Sequence, residues 1–416
     1  MDTKKILIIA GGIFIVLIIS LSIFIGVFLK GNGPVNITYW GLWEPESVYQ
    51  TVIADYKRLH PNVNIKYQKQ SPFNYRDKLI AALNQNNGPD IFRIHNTWIP
   101  MFKPILATIP QNVYSSASFK QTFYPVANES YPYTIPLEYD GLVLYVNDTI
   151  FRAANLDIPT IWDGDNGFFS VAQKLTVKDS NGRITTSGAS MGTAGNVDHW
   201  QEIVALMLAQ AGDNYNTSAL NYYTSFATQR IWDETQDSST LAFGNGKVAM
   251  YFGPSWRYFD IKAINPNLDF HVVPVPQLVG GKKINYATYW TEGVSKKSPN
   301  QQVAFDFLKF LSSKDELTKL YEAETKIRGF GEPYPRVDMA PLLASDPVLE
   351  PLISSAPSAK GGYLASHTYD GDTGINSRIG KYYLDYINAA LGKGNASIDT
   401  VSKGVAQVLG QYGITK

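Results

Sequence analysis

An α/β fold in two lobes, preceded by one membrane-spanning helix, is predicted by three features of this sequence. An uncharged apolar run extends from Ile6 to Leu29. About 385 residues follow it, more than one ordinary hydrophobic core holds. From Val35 onward, alternating stretches are separated by stretches of helical spacing, the rhythm of strand–helix–strand units with parallel crossovers.

The apolar run sets the first boundary. At roughly 24 residues it is long enough to cross a hydrocarbon core of about 30 Å as a tilted helix. A cleaved secretory signal has an apolar region of only about 7–15 residues and a small-x-small cleavage site. Here the run ends in Val27, Phe28, Leu29 and Lys30, which supplies no such site. Lipid attachment through cysteine is excluded because the chain has none. Residues 1–30 are therefore read as a single-pass anchor in the cell membrane and residues 31–34 as a linker. Lys4 and Lys5 before the span, against Lys30 after it, place the N-terminus inside and everything from about residue 31 on the extracellular or periplasmic face.

Composition narrows the function. Lys plus Arg and Asp plus Glu number 36 each, so no basic surplus exists to hold nucleic acid by counterion release. With no cysteine, thiolate metal sites and disulfides are absent. Tyr (26) and Trp (8) are abundant, and these side chains join a flat apolar face to a polar tip, a combination suited to sugar rings as well as to aromatic cores.

The elements follow in order. Val35 to Trp40 alternates like a strand. Glu46 to Leu59 has helical spacing at Val48, Val52, Ile53, Tyr56 and Leu59, and it stops at His60-Pro61 because proline lacks the amide a helix needs. Val63, Ile65 and Tyr67 alternate again. Tyr75 to Asn84 reads as a helix closed by Asn86-Asn87-Gly88-Pro89, and Asp90-Ile91-Phe92 opens a buried strand. Further helices are expected at Phe168 to Leu175, Trp200 to Ala211, Val303 to Leu311 and Ile379 to Leu391, with strands at Leu142 to Val146 and Phe270 to Val275. Leu364 to Arg378, rich in Gly, Asp and Thr, reads as a long loop.

Several local motifs, in this order, resemble the extracellular solute-binding proteins of carbohydrate ABC importers, the group that includes maltose-binding proteins. Ile37-Thr38-Tyr39-Trp40, the helix to Leu59 and His60-Pro61-Asn62-Val63 resemble that family's opening strand, helix and turn. Tyr75 to Leu83 leading into Gly88-Pro89-Asp90-Ile91 resembles its next unit. Ile135-Pro136-Leu137 with Leu144-Tyr145-Val146-Asn147 resembles the crossover into the second lobe. Phe243 to Met250, Gly253-Pro254-Ser255-Trp256, Val272 to Pro276 and Gly293-Val294-Ser295 complete the series. A helical anchor departs from the family members that use a lipidated cysteine or none.

The resemblance implies a periplasmic-binding-protein-like fold with three interlobe crossings, near Pro136 to Gly141, Asp269 to Val272 and Pro333 to Asp338. Lobe 1 would comprise residues 35–139 plus 272–333, and lobe 2 residues 140–271 plus 334–416. It further implies a sugar or oligosaccharide ligand in the cleft and ABC permease transmembrane subunits as partners, with no cofactor and no catalysis. Peptide and polyol ligands stay open. Loops at the C-terminal ends of strands in such sheets face the crevice. Trp43 and Glu44 follow the first strand, and Asn96, Thr97 and Trp98 follow the third. Asp140 lies at the first crossover, where the resemblance implies an acid that accepts from sugar hydroxyls. Trp200 and Trp256 come from the second lobe, Trp290 and Glu292 from the return, Arg336 from the third crossing, and Tyr369 and Asp370 from the late loop. Carboxylates and Arg suit hydroxyls, and indoles suit ring faces. For each of them a packing role is the alternative.

The enzymatic alternative is a membrane-anchored glycoside hydrolase, which would also place acids and indoles in a cleft and needs two carboxyls at a defined separation. Gly188-Ala189-Ser190-Met191-Gly192 matches the G-x-S-x-G nucleophile elbow, but a polar turn at Asp179 to Arg183 precedes it and no helix is legible after it. The five histidines form no zinc-binding pair, and Asp163 to Gly167 and Asp370 to Asp372 lack the full calcium-loop spacing.

Overall fold

The structure, a computed structural model, describes residues 33–414 apart from residue 213. The expected anchor from Ile6 to Leu29 and the first half of the linker lie outside the described residues. Among the described residues no helix is long and apolar enough to cross a membrane.

Among the described residues nine strands carry the fold: β1 (Val35–Gly41), β2 (Val63–Lys69), β3 (Ile91–His95), β4 (Thr134–Asn147), β5 (Val177–Lys178), β6 (Ile184–Ala189), β7 (Val248–Pro254), β8 (Phe270–Val273) and β9 (Ala287–Val294). Their lateral order is β2-β1-β3-β9-β4-β7-β6-β5, and β8 also pairs with β4. As expected, β1 lies parallel to β2 and β3, the geometry that a helical crossover produces. β9 then enters antiparallel between β3 and β4.

The 14-residue β4 belongs to two groups of strands. Its first half, Thr134 to Gly141, pairs with β9, while its second half, Leu142 to Asn147, pairs with β7 and β8. This corrects one expectation. β8 lies in the second group, so the chain returns to the first group at Tyr286–Ala287 rather than at Asp269 to Val272. The reason is local: Phe270 and Val272 carry apolar side chains that pack beside Tyr145 and Phe243, and β8 finds its hydrogen-bond partners there.

The helices form where periodicity meets a stop. Glu46–Leu59 buries Val48, Tyr49, Val52 and Tyr56 along one face and ends where His60 donates its amide to Tyr56 O. That face meets the sheet through Tyr39, Tyr49 and Tyr67. The rings of Tyr49 and Tyr67 stack at 4.1 Å, and Tyr39 stands edge-on to both. Each buried ring of this kind contributes about 2–3 kcal/mol by burial. In the second group Trp162, Phe168, Phe226 and Phe252 form the corresponding cluster.

The G-x-S-x-G stretch has a packing role. The turn expected at Asp179 to Arg183 forms, and a strand, β6, runs from it to Ser190, but the next helix begins only at Trp200. A Cβ on Gly188 would sit 1.9 Å from Ala172 O, so this glycine lets the strand touch the Phe168–Leu175 helix. Ser190 is buried at 1% exposure and its hydroxyl has no partner among the described residues, which leaves it no base to activate it.

Candidate functional site

A cavity of about 280 Å³ opens where the two groups of strands meet. The floor is β4 around Glu138 to Leu142 and β9 around Tyr286 to Trp290. Because side chains alternate along a strand, Glu138 and Asp140 share one face of β4 and both reach the cavity.

Two aromatic surfaces line it. On the first, Trp43 from the loop after β1 meets Trp290 of β9 edge-on at 5.3 Å and Tyr369 at 5.7 Å. On the second, Trp256 follows β7, with the Arg257 guanidinium 4.4 Å from its ring centroid and His199 and His367 edge-on at 5.7 and 5.5 Å. These are flat apolar surfaces with polar rims.

Carboxylates supply the polar part. Asp140 accepts from Gly141 N (2.7 Å), Ser255 N (3.0 Å) and Ser255 Oγ (2.9 Å). Burial pushes its carboxyl up to about 7 despite those bonds. Glu202 accepts from Ser366 N at 2.6 Å and Ser366 Oγ at 2.8 Å. Burial alone would raise it, but His199 and Ser366 hold it below the usual range. Burial keeps His95 and His367 neutral, with values down at about 3 and about 4.

Behind the wall lies a fully buried charge cluster. Arg93 donates to Glu44 Oε2 at 2.8 Å, to Glu292 Oε1 at 2.7 Å, to Tyr49 Oη at 2.9 Å and to Glu138. Burial raises the Glu292 carboxyl even beside that guanidinium. Arg328 meanwhile pairs with Glu332 and, at 3.3 Å, with Glu324.

The structure brings Trp43, Asp140, Trp256, Trp290 and Tyr369 of the expected site residues together at the cavity. The others stand elsewhere. Glu44 and Glu292 are turned inward by Arg93. Trp98 is fully buried, stacked on Phe102 and edge-on to Trp290, so it supports an indole of the wall. Asn96 accepts from Tyr289 N, and Thr97 bonds His95 and Asn376. Trp200 is buried and borders an outer groove on the other side of the Ser366 to Tyr369 segment. Asp370 accepts from Asn376 N and Ser377 Oγ at the start of the Ile375–Ala390 helix. Arg336 is tied to Asp338 and Ser312 O, away from the cavity.

Sequence reasoning missed His95, Glu138, His199, Glu202, Arg328, Glu332 and His367. Glu138 had a signal, its two-residue spacing from Asp140 on a strand. The others come from distant segments and had none.

Over residues 41–317 the chain matches the family described as bacterial extracellular solute-binding protein, and it belongs to that family. A curated relative, an ABC transporter extracellular-binding protein of Pyrococcus horikoshii, is 22% identical over 264 residues, which span 57% of this chain and 59% of that protein. Among solved structures, the sugar-binding protein MalE of Xanthomonas citri is similar at TM-score 0.70 and 18% identity, covering 91% of this chain and 98% of its own. The cyclic α-maltosyl-1,6-maltose binding protein of Arthrobacter globiformis is similar at TM-score 0.69 and 19% identity, covering 91% and 100%. A solute-binding protein of Thermotoga lettingae bound with α-D-tagatose is similar at TM-score 0.65 and 21% identity, covering 91% and 100%. The fold is thus the two-lobed α/β fold of periplasmic binding proteins. Its family is one of solute binders, not of enzymes, and the glycoside hydrolase alternative finds no support there.

Proposed function

We propose that this chain captures a sugar or oligosaccharide in the cleft between its lobes and delivers it to the permease subunits of an ABC importer. Residues 1–30 would hold it on the outer face of the membrane through the linker at residues 31–34. The lobes would be residues 35–139 with about 287–333, and residues 140–286 with 334–416, joined by three crossings. One observation carries this reading: two aromatic surfaces, at Trp43 and Trp290 and at Trp256, flank a cavity that also presents Asp140, Glu138 and Glu202. Indoles cover the apolar faces of a pyranose while carboxylates accept from its hydroxyls. The names of the structural neighbours, several of them sugar binders, agree with it.

A thermal-shift screen of the full-length chain against a sugar panel tests the proposal. A ligand present at about 100 times its dissociation constant stabilises the folded state by about 2.7 kcal/mol. Trp256→Ala is expected to weaken that ligand by more than about 2 kcal/mol, as truncating a central aromatic contact does. A flat response to every sugar overturns the reading. Unchanged affinity in Trp256→Ala assigns the indole to packing.

A further inference from the structure

The charges on and beneath this cavity do not balance. Among the described residues Glu44, Glu138 and Glu292 share the Arg93 guanidinium and Glu324 and Glu332 share Arg328, so that even with Glu292 and Glu324 counted as protonated three carboxylates face two cations. Asp140 has only amide and hydroxyl donors, from Gly141 and Ser255. Glu202 is held by Ser366, and the nearest ring nitrogen, His199 Nδ1, is 3.8 Å away.

Nor do the imidazoles supply the missing positive charge. Arg257 donates Nε to His199 Nε2 at 2.8 Å and lies 3.1 Å from His367 Nε2 through Nη2. A guanidinium accepts no hydrogen bond, so both ring nitrogens are acceptors and both rings are neutral. Arg257 itself sits behind Trp256 and is paired with Asp260 at 2.8 Å. His95 is buried and hydrogen-bonded to Thr97. A solute entering between the two aromatic surfaces therefore meets an excess of carboxylate.

We propose that this cavity selects its sugar by charge, favouring an amino-bearing ring over its neutral parent and excluding uronic acids and sugar phosphates. The inference rests on the sugar-binding reading above and names its ligand class. An ammonium group gains charge-assisted bonds to carboxylates and a favourable position over indole faces. An acid group placed there faces like charge with no free guanidinium to pair it.

The test uses matched sets: a parent sugar that binds the full-length chain, its 2-amino-2-deoxy form and its uronate, titrated calorimetrically at neutral pH. The amino form is expected to bind at least about threefold tighter than the parent, and the uronate more than about tenfold weaker. In an Asp140→Asn, Glu332→Gln double variant the spread between amino form and uronate should narrow. Should that variant misfold, the native chain gives an independent measure. Raising salt from about 0.05 M to about 0.5 M should narrow the same spread by screening. A uronate within about twofold of the parent, an amino form weaker than the parent, or a spread indifferent to salt overturns charge selection while leaving sugar binding intact. Failure of every form of every sugar to bind overturns the sugar reading, and this inference with it.

Discussion

Arg93 shows what one residue can decide. Its guanidinium is fully buried on β3 and neutralises carboxylates from the loop after β1, from β4 and from β9, so it joins segments far apart in sequence. Arg93→Ala would leave three buried carboxylates without a cation, a change that costs about 3–5 kcal/mol. The midpoint of urea denaturation should fall accordingly. The cluster also sets a pH dependence. Burial raises the carboxyls of Glu292 and Glu324 in the folded state, and the folded chain therefore holds protons that the unfolded chain releases. Stability is consequently lost as pH climbs from the ordinary glutamate value, about 4.3, toward the raised folded values. Asp198 and Glu202 are shifted the other way, because the hydrogen bonds of Thr240 to Asp198, and the neighbouring His199 and the hydrogen bonds of Ser366 at Glu202, outweigh burial, so acid below about pH 4 removes their contribution. Denaturation midpoints measured across pH should peak in the mildly acidic range and decline toward pH 8. A maximum on the alkaline side would contradict this account.

At the level of elements, the segment from Ser366 to Asn376 reaches across the molecule. Its helix, Ile375–Ala390, packs on the Ile398–Gly410 helix, yet Arg76 of the Tyr75–Asn84 helix donates to Asp370 O and, at 2.7 Å, to Thr373 Oγ1. Asn376 Nδ2 donates to Thr97 Oγ1 at 2.6 Å. Both His367 and Tyr369 adopt the left-handed backbone region, with φ of 53° and 52°, a conformation that costs about 1 kcal/mol or more for side chains of this size. The bonds to Arg76 and Thr97 offset that cost and hold Tyr369 against Trp43. Arg76→Ala should weaken ligand binding about tenfold with little loss in melting temperature, because the bonds removed tie down the Ser366 to Asn376 segment rather than build a core. Equal losses in affinity and in stability would mark Arg76 as an ordinary packing residue. This segment was legible only as a loop, since nothing in Leu364 to Arg378 announces which distant residue will tie it down. Helices with one clear apolar face, Glu46–Leu59 and Tyr75–Asn84, were legible to the residue, as was Trp200–Ala211, which is apolar nearly all round and buried through Ile203 to Leu208. β9 was not: Thr291, Glu292 and Gly293 break its apolar pattern because Arg93 satisfies the glutamate and Leu106 fills the space over the glycine. Indoles near strand ends were found for the same reason that they reach the cavity. The histidines and glutamates around them meet only through tertiary packing.

The whole molecule is expected to close around its ligand. Contacts from both lobes favour the closed arrangement only when the cavity is filled, which is the differential affinity that closure requires. A permease can read that closed surface as loaded. Small-angle scattering of the chain with and without a confirmed sugar should show a smaller radius of gyration at saturation. An unchanged distance distribution would indicate a rigid receptor.

The position of β9 has a further consequence, for biosynthesis. An interior strand of the first group, β9, is the last of the strands to be made, and until residue 294 has been synthesised β3 and β4 have no partner between them. More than a hundred residues, from the end of β4 to the start of β9, are made while those two edges remain open. Unpaired edges of this kind invite pairing with other chains. Vectorial emergence thus does not mature the first lobe before the second. The late arrival of one eight-residue strand joins two interrupted halves, and the chain beyond it then completes the cavity wall at His367 and Tyr369.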